Sequence, residues 1–570
     1  MKTRLLACWA LAVGVGLAVL SAQPVDRVTG RTELGLVLRQ INTVGTFMMA
    51  TAHPDDENNG VLALLSKGHG IRTALVTATR GDGGQNEIGP ELSDALAALR
   101  TEELLAAHRL DGAEQYFTRA VDFGYSFSRE ETFEKWGRDE ILGDYVRMIR
   151  TLRPDVIAGM SPDGDGGGQH HQASAVLAHE AYLAAGDATR FPEQLSDGLR
   201  PWQVRKFYFS AGFGFGRGGR GGAAPAADAG RMTTVDTGQF DPVLGRTYAE
   251  IGSHARSMHK CQGMSPLVRL PGPASARYLL TETTIPGQVG IPERTLFDGV
   301  DTSIRGLATF AGDQPPQALV AALDTLSAHG ATALDAFNAG NVQDQREAVL
   351  AGLTVVRSLR AGLARFGVSE DAVFEINFRL RQKEQQYARA LLLVHDLRLE
   401  ALASDGVVTA NQAVTVSAQV ANFGDTAVAV REIRFDGFAE EDLACGADIV
   451  AGGAVYDCES TLRVPDTAQD TNIYWERLPD AARYRVDPDV PFGLPFRPTP
   501  FRATFELDFT TGRVAVERAI EYRHGADIFA GEKRMELQVV PRFAVEVTPQ
   551  IAILPLGTAE PREVRVTVRH

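Results

Sequence analysis

The sequence predicts an α/β chain in three parts: a mostly parallel sheet domain, a helical segment, and one or two C-terminal β-sandwich modules. Three observations carry this. Between about residues 45 and 210, short apolar runs alternate with helix-like segments, the pattern of a parallel sheet with crossover helices. Residues 315–395 hold long helical patterns. From about 396 the period becomes that of strands, separated by Gly, Asn and Asp turns. At 570 residues the chain is too long for one core, and roughly three domains is the expectation. The boundaries read as 1–22 for a signal peptide, 40–310 for the sheet domain, 311–395 for the helical segment and 396–570 for the β modules.

In chain order, the first element is an export signal. Lys2 and Arg4 precede the apolar run Leu5–Leu20, and small residues around Ser21 and Ala22 offer a cleavage site. The plain alternative is an uncleaved anchor. No later run approaches the roughly 20 apolar residues that span a bilayer. Strands are expected at Thr46–Ala52, Arg72–Thr79, Gln115–Phe117, Val156–Met160 and Lys206–Phe209. Helices are expected at Asn59–Lys67, Ser93–His108, Lys135–Leu152 and Gln172–Ala184, giving a Rossmann-like sheet. Ala211–Gly230, very rich in Gly and Ala, reads as a surface loop and a candidate flap. Ala318–Leu326, Glu347–Phe366 and Asp371–Val394 form the helical segment, and Val414–Asn422, Ala427–Phe435 and Ala503–Phe509 begin the β modules. The net charge of −15 argues against nonspecific binding to nucleic acid or anionic membrane. An exported chain meets oxidising conditions, so Cys445 and Cys458 are candidates for a short-loop disulfide, leaving Cys261 as a buried free thiol.

The chemistry concentrates in Ala52-His53-Pro54-Asp55-Asp56-Glu57, directly after the first strand. Open α/β sheets bind ligands at the carboxyl ends of their strands. An imidazole and a carboxylate suit a divalent metal such as zinc, and a second carboxylate beside them is a candidate base. The plain alternative is a strand-to-helix turn bent by Pro54 and capped by an Asp. A second polar cluster, Ser161 to Ala173, follows the strand Val156–Met160 and contains His170 and His171, the latter opening a helix. Parallel strands bring both clusters to one edge. Arg80-Gly81-Asp82-Gly83-Gly84 lacks Gly-x-Gly-x-x-Gly spacing, which disfavours a dinucleotide site.

Together these segments resemble the PIG-L/LmbE-like de-N-acetylases over about residues 45–265. The Ala-His-Pro-Asp-Asp-Glu run matches that family's first motif unchanged. The resemblance implies His53 and Asp56 as metal ligands and Asp55 as general base. The family's second motif, His-Pro-Asp-His, ends in the third ligand, which aligns with His171. Its first His, which helps stabilise the oxyanion, falls here on Gly168, and its Asp falls on His170. His170 and His259 are the candidate substitutes, with His259 slightly preferred. Arg100 matches a family Arg near the substrate, and Asp122 a substrate-contacting Asp; either is equally readable as a structural ion-pair partner.

The implied function is an exported zinc-dependent (or other divalent-metal) hydrolase of a linear amide, releasing acetate and a free amine from an N-acetylglucosamine-containing or related glycan. The implied partners are a carbohydrate or N-acetylated small molecule, without nucleic acid, and the implied location is secreted or periplasmic. The alternatives are a catalytically altered glycan-binding protein and a metal-dependent hydrolase of another amide or ester.

Overall fold

The computed structural model describes residues 29–569 except 163–167, 212–229, 265–267, 440–443, 510–511, 525–531, 550–551, 553–556 and 558–560. The signal segment and nearly all of the candidate flap lie outside the described residues. Two compact units emerge. One comprises residues 29–396 together with Asn472–Pro498, and the other comprises Leu397–Thr471 and the described residues from Thr499 onward.

The first unit is built on a seven-stranded sheet. Its strands are β1 (Thr46–Thr51), β2 (Arg72–Thr77), β3 (Glu114–Phe117), β4 (Val156–Gly159), β5 (Lys206–Ser210), β6 (Met232–Asp236) and β7 (Ser275–Thr283), in the order β3-β2-β1-β4-β5-β7-β6. The first five in that order run parallel, and β7 is antiparallel to both β5 and β6. All six residues of β1 are buried, as a strand covered on both faces requires, hence its unbroken apolar run. Because β2 and β4 flank β1, the strand order reverses there, and the carboxyl ends of β1 and β4 frame the crevice where such sheets bind ligands.

Local chemistry sets the helices. Asn58 caps the short helix Asn59–Ala63 by accepting the Val61 N–H, and a π-turn over Leu64–Gly68 completes the stretch that the sequence reads as one helix. The helix α1 (Asp94–Asp111) ends on Gly112 with φ 87°, a left-handed cap. The expected helix Lys135–Leu152 is broken at Gly137 (φ 75°) into α2 (Arg129–Trp136) and α3 (Arg138–Leu152). Ile141, Leu142, Tyr145, Met148, Ile149 and Leu152 give α3 its buried stripe. A further helix, α4 (Gln169–Ala184), begins two residues before His171, so that residue lies inside the helix instead of opening it. The helical segment is three long helices, α5 (Gln317–Ala339), α6 (Val342–Gly362) and α7 (Glu370–Val394), and belongs to this unit. Buried polar ties fix α7: Arg153 pairs with Glu375, and the Lys383 ammonium donates to the carbonyls of Gln40 and Thr43. No described helix is long and apolar enough to cross a membrane.

The second unit contains two five-stranded sheets. Alternate residues of Ala413–Asn422 are buried, from Val414 to Asn422, the alternation of a sheet with one covered face. The disulfide Cys445–Cys458 joins a strand of one sheet to a strand of the other, and Cys261 is a buried free thiol.

The segment Asn472–Pro498, which the sequence reading groups with the C-terminal strands, is part of the α/β unit. Its backbone lies against the loop that follows β3. Phe117 N–H donates to Gly493 O (2.8 Å), Val121 N–H to Ala482 O (2.9 Å) and Tyr484 N–H to Arg119 O (2.7 Å). Arg80 is its anchor. The guanidinium stacks on Trp475 (3.7 Å to the ring centroid) and Phe117 (4.1 Å), and donates to Pro495 O (2.9 Å) and Leu494 O (3.1 Å). Trp475 is itself buried. Replacing it with Ala is expected to destabilise this unit by about 3–5 kcal/mol, read as a lowered denaturant midpoint followed by a probe in the α/β unit.

Candidate metal centre

The loop after β1 is a tight turn in which a backbone amide meets the second carboxylate: His53 N–H donates to Asp56 Oδ2 (2.8 Å). Asp55 adopts φ 103°, a conformation that costs a non-glycine residue about 1–3 kcal/mol and persists only when its surroundings enforce it. Here they do. Asp55 N–H donates to Glu57 Oε2 (3.0 Å), Arg256 donates to Asp55 O (2.9 Å), and Arg100 donates to Pro54 O (2.7 Å).

His53, Asp56 and His171 converge. His53 Nδ1 is 3.0 Å from His171 Nε2 and 3.5 Å from Asp56 Oδ2, and His171 Nε2 is 3.2 Å from Asp56 Oδ1. A tetrahedral ion with bonds near 2.0–2.1 Å sets its ligand atoms about 3.3 Å apart, so the donor set fits a divalent metal in chemistry and in spacing. Three ligands also leave a fourth position open. A second trio, His53, Asp122 and His170, converges among the described residues and shares His53. Its contacts are with the other ring nitrogen: His53 Nε2 lies 3.1 Å from His170 Nδ1 and 3.9 Å from Asp122 Oδ2. The far nitrogen of a metal-ligating His ordinarily has such a partner, which fixes its ring.

Electrostatics separate the adjacent carboxylates. Burial, with the neighbouring Asp56 charge, pushes Asp55 up to about 6, against the opposing pull of Arg100, whose Nη2 is 3.7 Å away. Burial opposes the charge of Glu57 too, yet His259 (2.7 Å to Oε1) and His108 hold it down at about 2. Burial and the charge of Asp122 raise Asp82 to about 7.

The other sequence candidates fall in distinct places. Arg100 is buried beneath the loop, its guanidinium donating to Pro54 O and Gly81 O (2.9 Å). Asp122 is buried beside His170 Nδ1 (3.5 Å). His259 is fully buried and bonded to Glu57 (2.7 Å), whereas His170 Nδ1 lies 3.1 Å from His53 Nε2. At Gly168 an added Cβ would meet no described atom within 4 Å. At Gly83 it would sit 2.3 Å from Asp122 O, so only glycine lets the loop after β2 lie against the Asp122 loop.

Sequence reasoning missed Arg256, His108 and Asn59 near Glu57, and the role of Arg80 with its anchoring segment. Arg256 adjoins the polar Ser257–Gly263 cluster, which was the available signal; the 472–498 excursion left none.

The family model described as PIG-L, GlcNAc-PI de-N-acetylase, matches residues 48–182. A 1D-myo-inositol 2-acetamido-2-deoxy-alpha-D-glucopyranoside deacetylase of Streptomyces griseus is 30% identical over 282 residues, 43% of this chain and 85% of the relative. The protein of that name from Streptomyces avermitilis is 34% identical over 181 residues, 29% of this chain and 60% of the relative. A mycothiol S-conjugate amidase of Streptomyces coelicolor is 29% identical over 182 residues, 29% of this chain and 60% of the relative. The chain belongs to the PIG-L family. It spans 53–60% of the length of several curated relatives it matches.

Behind the loop, His108 contacts Asp111 Oδ1 (2.9 Å) and Gln115 Oε1 (2.9 Å). Burial disfavours its charge, but Asp111 and then Glu57 outweigh this and raise it to about 9. A raised pKa stabilises fully below the unfolded value near 6.5 and is lost as pH climbs through about 9. His108→Gln should therefore flatten the fall in stability between pH 6.5 and 9 by up to about 3 kcal/mol, measured by denaturation at both pH values.

Proposed function

We propose that the chain is an exported, zinc-dependent de-N-acetylase. It hydrolyses the acetamide of an N-acetylglucosamine-containing or related N-acetylated glycan, producing acetate and a free amine. The observation that carries this reading is the convergence of His53, Asp56 and His171 on one point, with Asp55 in the same loop, in a member of the PIG-L family. The substrate class is supported by the relatives named as acetamido-glucopyranoside deacetylases. Export is supported by Lys2, Arg4 and the apolar run after them, and by the Cys445–Cys458 disulfide, a bond that persists in oxidising compartments. Hydrolysis of a different amide is the second reading, favoured by the relative named as an amidase.

The residues divide the chemistry. A divalent ion held by His53, Asp56 and His171 would supply Lewis acidity toward water and the acetamide oxygen. Asp55, raised toward neutrality by burial, accepts the proton of the attacking water and returns it to the departing amine. Arg100, Arg256 and Glu57 hold Asp55 in its strained conformation. His170 and Asp122 position the His53 ring through its second nitrogen.

The purified protein should carry about one divalent ion per chain, and His53→Ala or His171→Ala should abolish it while the fold persists. His170→Ala should weaken metal affinity ~10–100-fold, as loss of an orienting partner does. Metal analysis and competition with a chelator check both; two ions per chain would instead favour occupation of the second trio.

Asp55→Asn should retain the metal and lose turnover ~10²–10⁴-fold, followed as acetate release from N-acetylglucosamine oligosaccharides. Parent-like acetate release by this variant would remove Asp55 as the base.

A further inference from the structure

The loop leaving β3 carries two large side chains that the packing does not use. Tyr125 and Phe127 are 80% and 82% exposed, among the most exposed large apolar side chains described. Their rings meet edge to face, with centroids 5.1 Å apart and planes at 82°. Scattered single apolar residues on a surface need no account, but paired aromatics on an ordered loop do.

The loop is built, and it is continuous with the metal centre. Residues alternate between the interior and solvent: Asp122 and Ser126 are buried, and Tyr125 and Phe127 face outward. Asp122 N–H donates to Asp82 Oδ1 (3.1 Å), and Gly124 N–H to Asp122 Oδ1 (2.9 Å). Ser126 Oγ lies within hydrogen-bond reach of two acceptors, Ser128 O (2.9 Å) and Glu131 Oε2 (3.1 Å), and that carboxylate oxygen also accepts the Phe127 N–H (2.7 Å). Ser128 caps α2 through the Glu131 N–H. At the inner end, Asp122 stands by His53 and His170, and the Phe123 ring packs edge-on to His170 at 4.4 Å. Tyr125 and Phe127 are three and five steps along the chain from Asp122, so the pair lies within about 11 and 18 Å of it at full extension. The backbone hydrogen bonds fix both ends of this path, so little ordering entropy remains to oppose binding at the aromatics.

We propose that Tyr125 and Phe127 form a saccharide subsite, stacking on the pyranose rings next to the N-acetylated unit that reaches the metal centre. The substrate class is then an oligosaccharide, not a lone amino sugar. A pyranose offers an apolar C–H face and a polar rim. Two exposed rings at right angles, on the loop that leads away from Asp122, suit that amphipathic shape, since aromatic side chains give large contact area with few torsions to freeze. Glu130, two residues after the capping Ser128, is exposed and supplies a polar group for the hydroxyl rim. The identity of the reacting unit rests on the deacetylase reading; the stacking itself does not.

The test titrates metal-loaded wild type, Tyr125→Ala, Phe127→Ala and the exposed control Phe423→Ala with N-acetylglucosamine and with its β-linked pentamer. Affinity is read by calorimetry with the Asp55→Asn change in every protein, and acetate release is read in the parent background. The pentamer should bind the reference protein at least about 10-fold more tightly than the monomer. Each aromatic truncation should erase about 5–10-fold of that preference, equivalent to roughly 1–1.4 kcal/mol, while Phe423→Ala leaves it intact. An equal pentamer-to-monomer ratio in the reference protein and both variants overturns the subsite, as does failure of the pentamer to bind. So does loss of cosedimentation with phosphatidylcholine vesicles in the variants while saccharide affinities stay fixed, which would assign the pair to a lipid surface. A changed ratio without acetate release from any sugar sinks the deacetylase reading and keeps the subsite; acetate release with an unchanged ratio does the reverse.

Discussion

Three consecutive carboxylates, Asp55, Asp56 and Glu57, are buried at the carboxyl end of one parallel strand, and much of the α/β unit is arranged to make that tolerable. A buried, unpaired carboxylate costs several kcal/mol, so each needs its own compensation. Asp56 faces two imidazoles, Glu57 is closed off by His259, and Asp55 has Arg100 close by. Different compensation gives neighbouring groups different proton affinities, with Asp55 near 6 and Glu57 near 2. The contrast between a carboxylate fixed as a charge and one able to exchange a proton arises within a single turn of chain.

That compensation comes from distant parts of the sequence. Arg100 lies on α1, while Arg256 and His259 arrive some 200 residues after the loop they support. Asn59 then links Glu57 to Asp111, extending the network to His108. The strained Asp55 is thus held by an interlocked set of partners. A substitution at any of them would be felt at Asp55 without touching a ligand atom.

What could be read in advance follows the range of the interactions. The five parallel strands and the long C-terminal helices were legible because burial on one or both faces imprints a period on consecutive residues. The His53–Glu57 run was legible because its chemistry sits in five adjacent positions. Gly137, which divides a predicted helix, was visible but needed its φ to be decisive. The relative placement of His170 and His259 could not be read, since one is adjacent to a ligand and the other reaches Glu57 across 202 residues of sequence. The role of Arg80 was hidden likewise: its stacking partner Trp475 lies in a segment whose local pattern resembles the strands around it.

The excursion of Asn472–Pro498 into the α/β unit also orders events during synthesis. The ribosome must add 102 residues after Asp396 before Pro498 emerges, about 5–20 s at typical elongation rates. During that interval Arg80, Phe117 and the Asp122 loop await their covering, while the strands of Leu397–Thr471 wait for partners still to be made after Thr499. Neither unit can complete itself alone, so the nascent chain holds two unfinished surfaces at once.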